Sequence, residues 1–259
     1  MGIKMKKDTE KESIRLKKVF ILAGALCAYW IGSGFATGQE VLQFFSIYGL
    51  NGIAGAIIFL VLIGLFTYIL FGIGNKMKFK NPYGVFDYYC GKFLGQVYAW
   101  YNVVLIYCIF VVMLAGAGAT INQHFGIPAY IGTAIIAILA LGTALLGIEK
   151  LIQIIGVIGP IKILLIVIVG MAAIATFWGK PDLLVENSKL MPTLGFNAAS
   201  PNWAWSAVLY AFGTLVFGIP FIVDCGASAG NLKEARTAGI TSAIAFTIAI
   251  ILLIISELV

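Results

Sequence analysis

The sequence predicts an all-α protein that crosses a membrane several times, and three observations carry that prediction. Apolar residues make up 61% of the chain and charged residues 11%, whereas soluble domains hold roughly half apolar and about a quarter charged residues. The mean hydropathy is +1.01. The apolar residues fall into runs of roughly 20, the length a helix rising about 1.5 Å per residue needs to cross about 30 Å of hydrocarbon. Membrane strands would show ten-residue alternation, and none is visible.

Taken in order, residues 1–18 carry Lys4, Lys6, Lys7, Lys11, Arg15, Lys17 and Lys18 against Asp8, Glu10 and Glu12. Such a segment packs no core and is expected to be a solvated cytoplasmic tail. Apolar segments follow at about 19–47, 51–74, 94–121, 128–147, 151–178, 203–224 and 238–257, which predicts seven spans. With the tail inside, the inner links hold Lys76, Lys78, Lys80, Lys92, Lys150, Lys233 and Arg236, and the outer links only Lys180 and Lys189. The formal charge of +6 is therefore a topology signal and predicts no nucleic-acid partner. The link at 179–202, with Pro181, Pro192 and Pro201, is predicted to be an extracellular loop between Trp178 and the interfacial anchors Trp203 and Trp205. Cys27, Cys90, Cys108 and Cys225 lack metal-ligand spacing and are expected to be small buried hydrophobes. The run from Val19 is too long for a cleavable signal peptide. The odd span count and the end at Val259 predict a chain truncated after about seven helices.

Within the first run, Gly32, Gly34 and Gly38 lie among Ser33, Thr37, Gln39 and Glu40. Each glycine weakens a helix interior by about 1 kcal/mol. Broken backbone at membrane depth is tolerated only where protein or a watery cavity meets it, so a break here predicts a cavity. Its freed N–H groups suit a carboxylate and its freed carbonyls a cation. Two blander readings stand beside this one: Gly34 and Gly38 as a GxxxG packing pair, and an unbroken helix that hides Glu40. A dinucleotide loop is excluded because no strand precedes the glycines.

In the fifth run, Lys162 lies about 18 Å along the helix from Lys150, near mid-bilayer. A lysine there costs at least about 2.5–3.5 kcal/mol on insertion scales and should face protein or a cavity. Pro160 frees the carbonyl of Gly156 nearby. By the same rise, Gly34 lies about 24 Å or less from Lys18 and Gly213 about 15 Å from Trp203, so all three converge on one depth. Satisfaction by carbonyls with no mechanistic role is the alternative reading for Lys162. Glu40 lies about 9 Å farther out and is a vestibule candidate. No nucleophile–base pair, metal cluster or phosphate loop appears, so no enzymatic activity, metal or cofactor is expected.

The Gly32-Ser33-Gly34-Phe35 sequence resembles the first-span motif of the amino acid–polyamine–organocation superfamily, which shares the LeuT fold. The longer Gly32–Glu40 string is similar to the bacterial YkvI-type membrane proteins. Tyr210-Ala211-Phe212-Gly213-Thr214 is similar to that superfamily's sixth-span break, and Gly218 and Pro220 extend the weak region. The resemblance implies a LeuT-like inverted repeat, with 19–178 as the first five-helix repeat and 203–259 as the start of the second. It implies a secondary transporter in a bacterial cytoplasmic membrane, working around broken helices one and six on an amino acid or similar zwitterion. The carboxylate would meet N–H groups near Ser33, Gly34 and Phe35, the ammonium would meet carbonyls including Ile31 and Phe212, and Tyr107 would bond the carboxylate. Gly32 and Gly213 would shape the two breaks. Lys162 matches, by span and depth, a lysine that replaces sodium in proton-coupled members, so a proton or a sodium ion is the expected coupling ion. A non-transporting sensor of the same ligand is the alternative. A retinal protein is excluded, because the seventh span has no lysine.

Overall fold

Glycines and polar links end most of the apolar runs, whereas Pro160 and Pro220 lie inside helices. The computed structural model describes residues 14–177 and 181–258; the tail from Lys4 to Glu12, Trp178 and Lys180 lie outside the described residues. The first run holds α1 (Leu16–Trp30), α2 (Ser33–Ala36) and α3 (Gln39–Phe44), followed by a 3-10 turn and α4 (Asn51–Met77). Then come α5 (Gly84–Phe125), α6 (Ala129–Ala144), α7 (Ile148–Phe177), α8 (Pro181–Leu190), α9 (Trp203–Ala227) and α10 (Leu232–Glu257). No strand occurs among the described residues.

Among the described residues, five helices are long and apolar enough to cross a membrane: α4, α5, α7, α9 and α10. The other two predicted spans take different forms. The first is divided into three pieces, and α6 has 16 residues, about 24 Å of helix. The expected loop at 179–202 is largely helical, holding α8 and a 3-10 turn at Met191–Thr193. It is tied down by Asn187, whose Nδ2 donates to the Leu258 carbonyl at 2.9 Å, and by the Leu50 amide, which donates to Ser188 Oγ at 2.8 Å.

Helices α1, α4, α9 and α10 pack as one bundle, with α7 against α1 and α10, while α5 and α6 pair chiefly with each other. Between helices in lipid there is little hydrophobic drive, so close van der Waals approach has to supply the cohesion. Glycines permit it between α1 and α7. A Cβ on Gly24 would lie 2.6 Å from the Gly156 carbonyl oxygen and 2.7 Å from Pro160 Cδ, and one on Gly159 would overlap the Gly24 carbonyl. This contact sets Lys162, one turn farther along α7, beside the end of α1.

The expected break at Gly213 is absent. Helix α9 is continuous from Trp203 to Ala227, with Asn202 capping its start by accepting from the Ala204 and Trp205 amides. A glycine inside a helix costs only about 1 kcal/mol, which packing overcomes. The weak point lies at Pro220 instead. Lacking an N–H, Pro220 leaves the Val216 carbonyl without its helical donor, and buried Asn102 of α5 supplies one through Nδ2 at 2.6 Å. One residue on, the Tyr29 hydroxyl of α1 donates to the Phe217 carbonyl at 2.9 Å.

Asn102→Leu should therefore destabilise the protein by about 1–3 kcal/mol, the cost of an orphaned buried acceptor. In a Pro220→Ala background, where residue 220 regains its N–H, the same change should cost much less. Thermal unfolding of the four proteins in detergent checks this. Additive losses would contradict the assignment.

At the opposite end of α1, Arg15 bridges Glu234 at 3.2 Å. Glu234 is fully buried and also accepts from the Gly230 amide at 3.2 Å, while its own amide donates to Asn231 Oδ1 at 2.8 Å. Asn231 thus caps α10, and Arg15 ties the start of α1 to that cap.

Candidate functional site

The chain leaves the helix after Trp30: Ile31 has φ −79° and ψ 85°, and Gly32 is extended at φ −89° and ψ −170°. The Ile31 amide still reaches the Cys27 carbonyl at 3.0 Å, and the Gly32 amide turns back to Trp30 at 3.0 Å. Because α2 starts afresh at Ser33, the amides of Ser33, Gly34 and Phe35 have no acceptor within the helix. Gly38, at φ 79°, is a left-handed position that suits glycine alone, and it turns the chain again into α3.

The carbonyl end of the break is occupied. Lys162 Nζ donates to the Ile31 carbonyl at 2.9 Å and to the Ala28 carbonyl at 3.3 Å, a cation at the negative end of α1. The Ile31 carbonyl, expected to meet a substrate ammonium, is engaged by Lys162 in this structure. The Gly156 carbonyl freed by Pro160 lies instead against Gly24.

The far side of the break is closed by aromatic rings. Phe35 is fully buried and stacks on Phe246 at 4.8 Å, which also meets Trp30 at 5.1 Å and Phe59 at 5.8 Å. Those rings fill the space where a cavity shared with α9 was expected. Ser33 and Gly34 remain half-buried; Gly32 and Ser33 face α5, since a Cβ on Gly116 would lie 3.0 Å from Ser33 Oγ and one on Gly32 would meet the Met113 methyl, whereas a Cβ on Gly34 would meet the Glu40 carboxylate.

Glu40 is half-buried, and its carboxylate accepts from the Tyr210 hydroxyl at 3.2 Å, which joins α3 to α9. Tyr210→Phe should lower stability by about 1–3 kcal/mol, because Glu40 then loses its one protein donor among the described residues. Glu40→Gln should recover most of that loss in the double variant. Thermal unfolding measures both, and an unchanged midpoint for Tyr210→Phe would refute the link.

Ile31, Gly32, Ser33, Gly34, Phe35, Lys162 and Glu40 thus gather around the divided helix. Three predicted residues stand apart. Phe212 is 44% exposed, with its ring 5.7 Å from Phe66 on α4, and its carbonyl belongs to an uninterrupted helix. Gly213 has no neighbour within 4 Å of a built Cβ. Tyr107 is 67% exposed, on a helix too apolar all round for sequence to give its inward face. The residues missed were Trp30 and, with hydrogen-bond partners 114 or more positions away, Tyr29 and Asn102. The Trp30 indole N–H is buried without a partner among the described residues. Only Pro220, which must orphan the carbonyl four residues before it, signalled one of these contacts.

Comparison with known proteins adds two relatives. Over 105 residues, 39% of this chain, the sequence is 31% identical to the uncharacterised membrane protein YkvI of Bacillus subtilis (strain 168), covering 29% of that protein. Over 151 residues, 57% of the chain, it is 26% identical to the uncharacterised protein YyaD of the same organism, covering 41% of that protein. The chain spans less than half the length of these relatives. No family profile matches the chain, and no solved structure matches it. The five long apolar helices and the similarity to a membrane protein make it a multi-pass membrane protein.

Proposed function

We propose that this chain is part of a secondary active transporter for an amino acid or similar small zwitterion, in a bacterial cytoplasmic membrane with its N-terminus inside. The observation that carries the reading is the divided first helix, whose carbonyl end is held by the Lys162 ammonium and whose amide end lies half-open towards α5. Opposed helix ends at membrane depth suit a ligand bearing both charges. The bundle of α1, α4, α9 and α10, with α5 and α6 paired apart, supports a LeuT-like arrangement, and the bias of Lys and Arg towards alternate links supports the orientation.

In this reading the substrate carboxylate meets the amides of Ser33, Gly34 and Phe35. The Lys162 ammonium leaves the Ala28 and Ile31 carbonyls on losing its proton, which frees them for the substrate ammonium. Proton and substrate then exclude each other at one pair of carbonyls, and that exclusion is the coupling. The weak point of α9 at Val216–Pro220, held by Tyr29 and Asn102, takes the place of a second break as the hinge.

The full-length protein in proteoliposomes under an inward proton gradient tests this with labelled amino acids. Uptake that a protonophore collapses, together with counterflow, is the expected result. Ligand binding without counterflow would favour a membrane sensor instead.

A further inference from the structure

At the membrane boundary where α4 ends and α10 begins, a hollow of about 260 Å³ is lined by Tyr68, Leu232, Lys233, Arg236, Thr237 and Ile240. Nothing in the transport reading uses it. The Arg236 guanidinium stacks on the Tyr68 ring at 4.6 Å from its centroid. Such stacking fixes the plane of the guanidinium and leaves its edge for an anion. Arg236 has no carboxylate partner among the described residues, and its Nε is buried with no acceptor. The nearest acid in sequence, Glu234, is fully buried and committed to Arg15 and the Gly230 amide, so it does not neutralise Arg236. Lys233 adds a second, exposed cation one turn away.

The remaining lining is apolar, and it continues along α10. Ile240, Ile244 and Ile248 are 41%, 45% and 48% exposed and follow one another at helical spacing, forming a strip that runs from the hollow into the bilayer region. An orphaned planar cation above an apolar strip at a membrane boundary has the form of an anionic lipid: phosphate at the head, acyl chain below.

We propose that this hollow binds the phosphate of an anionic phospholipid, with Arg236 and Lys233 on the headgroup and the Ile240–Ile248 strip along one acyl chain. The proposal is independent of the transport reading, since it needs only the membrane boundary.

Native mass spectrometry of the full-length protein, released from vesicles of mixed phosphatidylcholine and phosphatidylglycerol, tests it. Wild type should retain phosphatidylglycerol over phosphatidylcholine. Lys233→Ala, an exposed change that leaves the fold intact, should cut that retention several-fold, and Arg236→Ala should abolish it. Arg236→Lys, which keeps the charge but loses the planar fork, should fall between. Lys92→Ala on α5 should leave retention unchanged. Equal retention by wild type and the Lys233 and Arg236 variants would overturn the proposal and leave an acidic protein segment as the partner of this face. Stabilisation of the protein by inorganic phosphate alone, dependent on Arg236 and without phosphatidylglycerol selectivity, would overturn the lipid source.

Discussion

Lys162→Arg in the full-length protein should keep the protein folded while abolishing the pH dependence of uptake. A guanidinium can donate to the carbonyls of Ala28 and Ile31 as the ammonium does, but it does not lose its proton in proteins. Those carbonyls then stay occupied and uptake should fall about tenfold or more. Lys162→Ala should also lose proton dependence, with an added loss of stability, because each orphaned carbonyl costs about 1–3 kcal/mol. Uptake across a range of external pH, with thermal unfolding of the same preparations, separates the two effects. An arginine variant whose uptake still rises and falls with pH would remove Lys162 from the coupling.

The second large effect is expected at the contact between α1 and α7. Gly159→Ala places a methyl group against the Gly24 carbonyl, closer than side chains approach in real structures. The helices must part or tilt, and overpacking of this kind costs about 1–3 kcal/mol. Because Lys162 lies three residues beyond, the same displacement should draw its ammonium away from Ile31 and reduce uptake as well. Gly142→Ala is the matched control, since a Cβ there meets nothing within 4 Å. It should be neutral or slightly stabilising, as alanine is the better helix former by about 1 kcal/mol. Equal behaviour of the two variants would mean that the α1–α7 approach is looser than described.

Much of this arrangement is legible before any coordinates. The run of Gly32, Gly34 and Gly38 marks the division of the first helix because three glycines with interspersed polar residues weaken one segment beyond what packing restores. The depth of Lys162 follows from helical rise alone. Its need for partners in lipid points to carbonyls, and the divided helix has carbonyls to give. At Gly213 the same logic misleads: a single glycine, at about 1 kcal/mol, costs too little to break α9, and the aromatic-rich motif around it matches a break this helix does not make. Pro220, seven residues on, disturbs the hydrogen bonding by removing a donor outright.

The rest depends on contacts between residues far apart in the chain. Neither the pairing of Asn102 with Val216 nor that of Tyr29 with Phe217 has a local signature, because each requires knowing which helices are neighbours. The side to which Tyr107 faces was illegible for a related reason. A span that is apolar on every face carries no periodic mark of its inward side, so depth is readable and direction is not. The carboxylate of Glu257 belongs here too. Both of its oxygens are buried, beside Gly38 and the Ser46 hydroxyl, and its position at the end of a long apolar run gave no hint that α10 would bring it against the first helix.

Everything proposed for the site requires that the amide side of the divided helix meet water within the bilayer. The most direct measurement is the reaction rate of Ser33→Cys with a small membrane-impermeant thiol reagent, in full-length protein whose native cysteines have been replaced. Rapid modification, slowed by a transported amino acid and far faster than at the exposed apolar position Val61→Cys, is the predicted result. A Ser33→Cys as inert as Val61→Cys, in vesicles open to the reagent on both sides, would contradict the account.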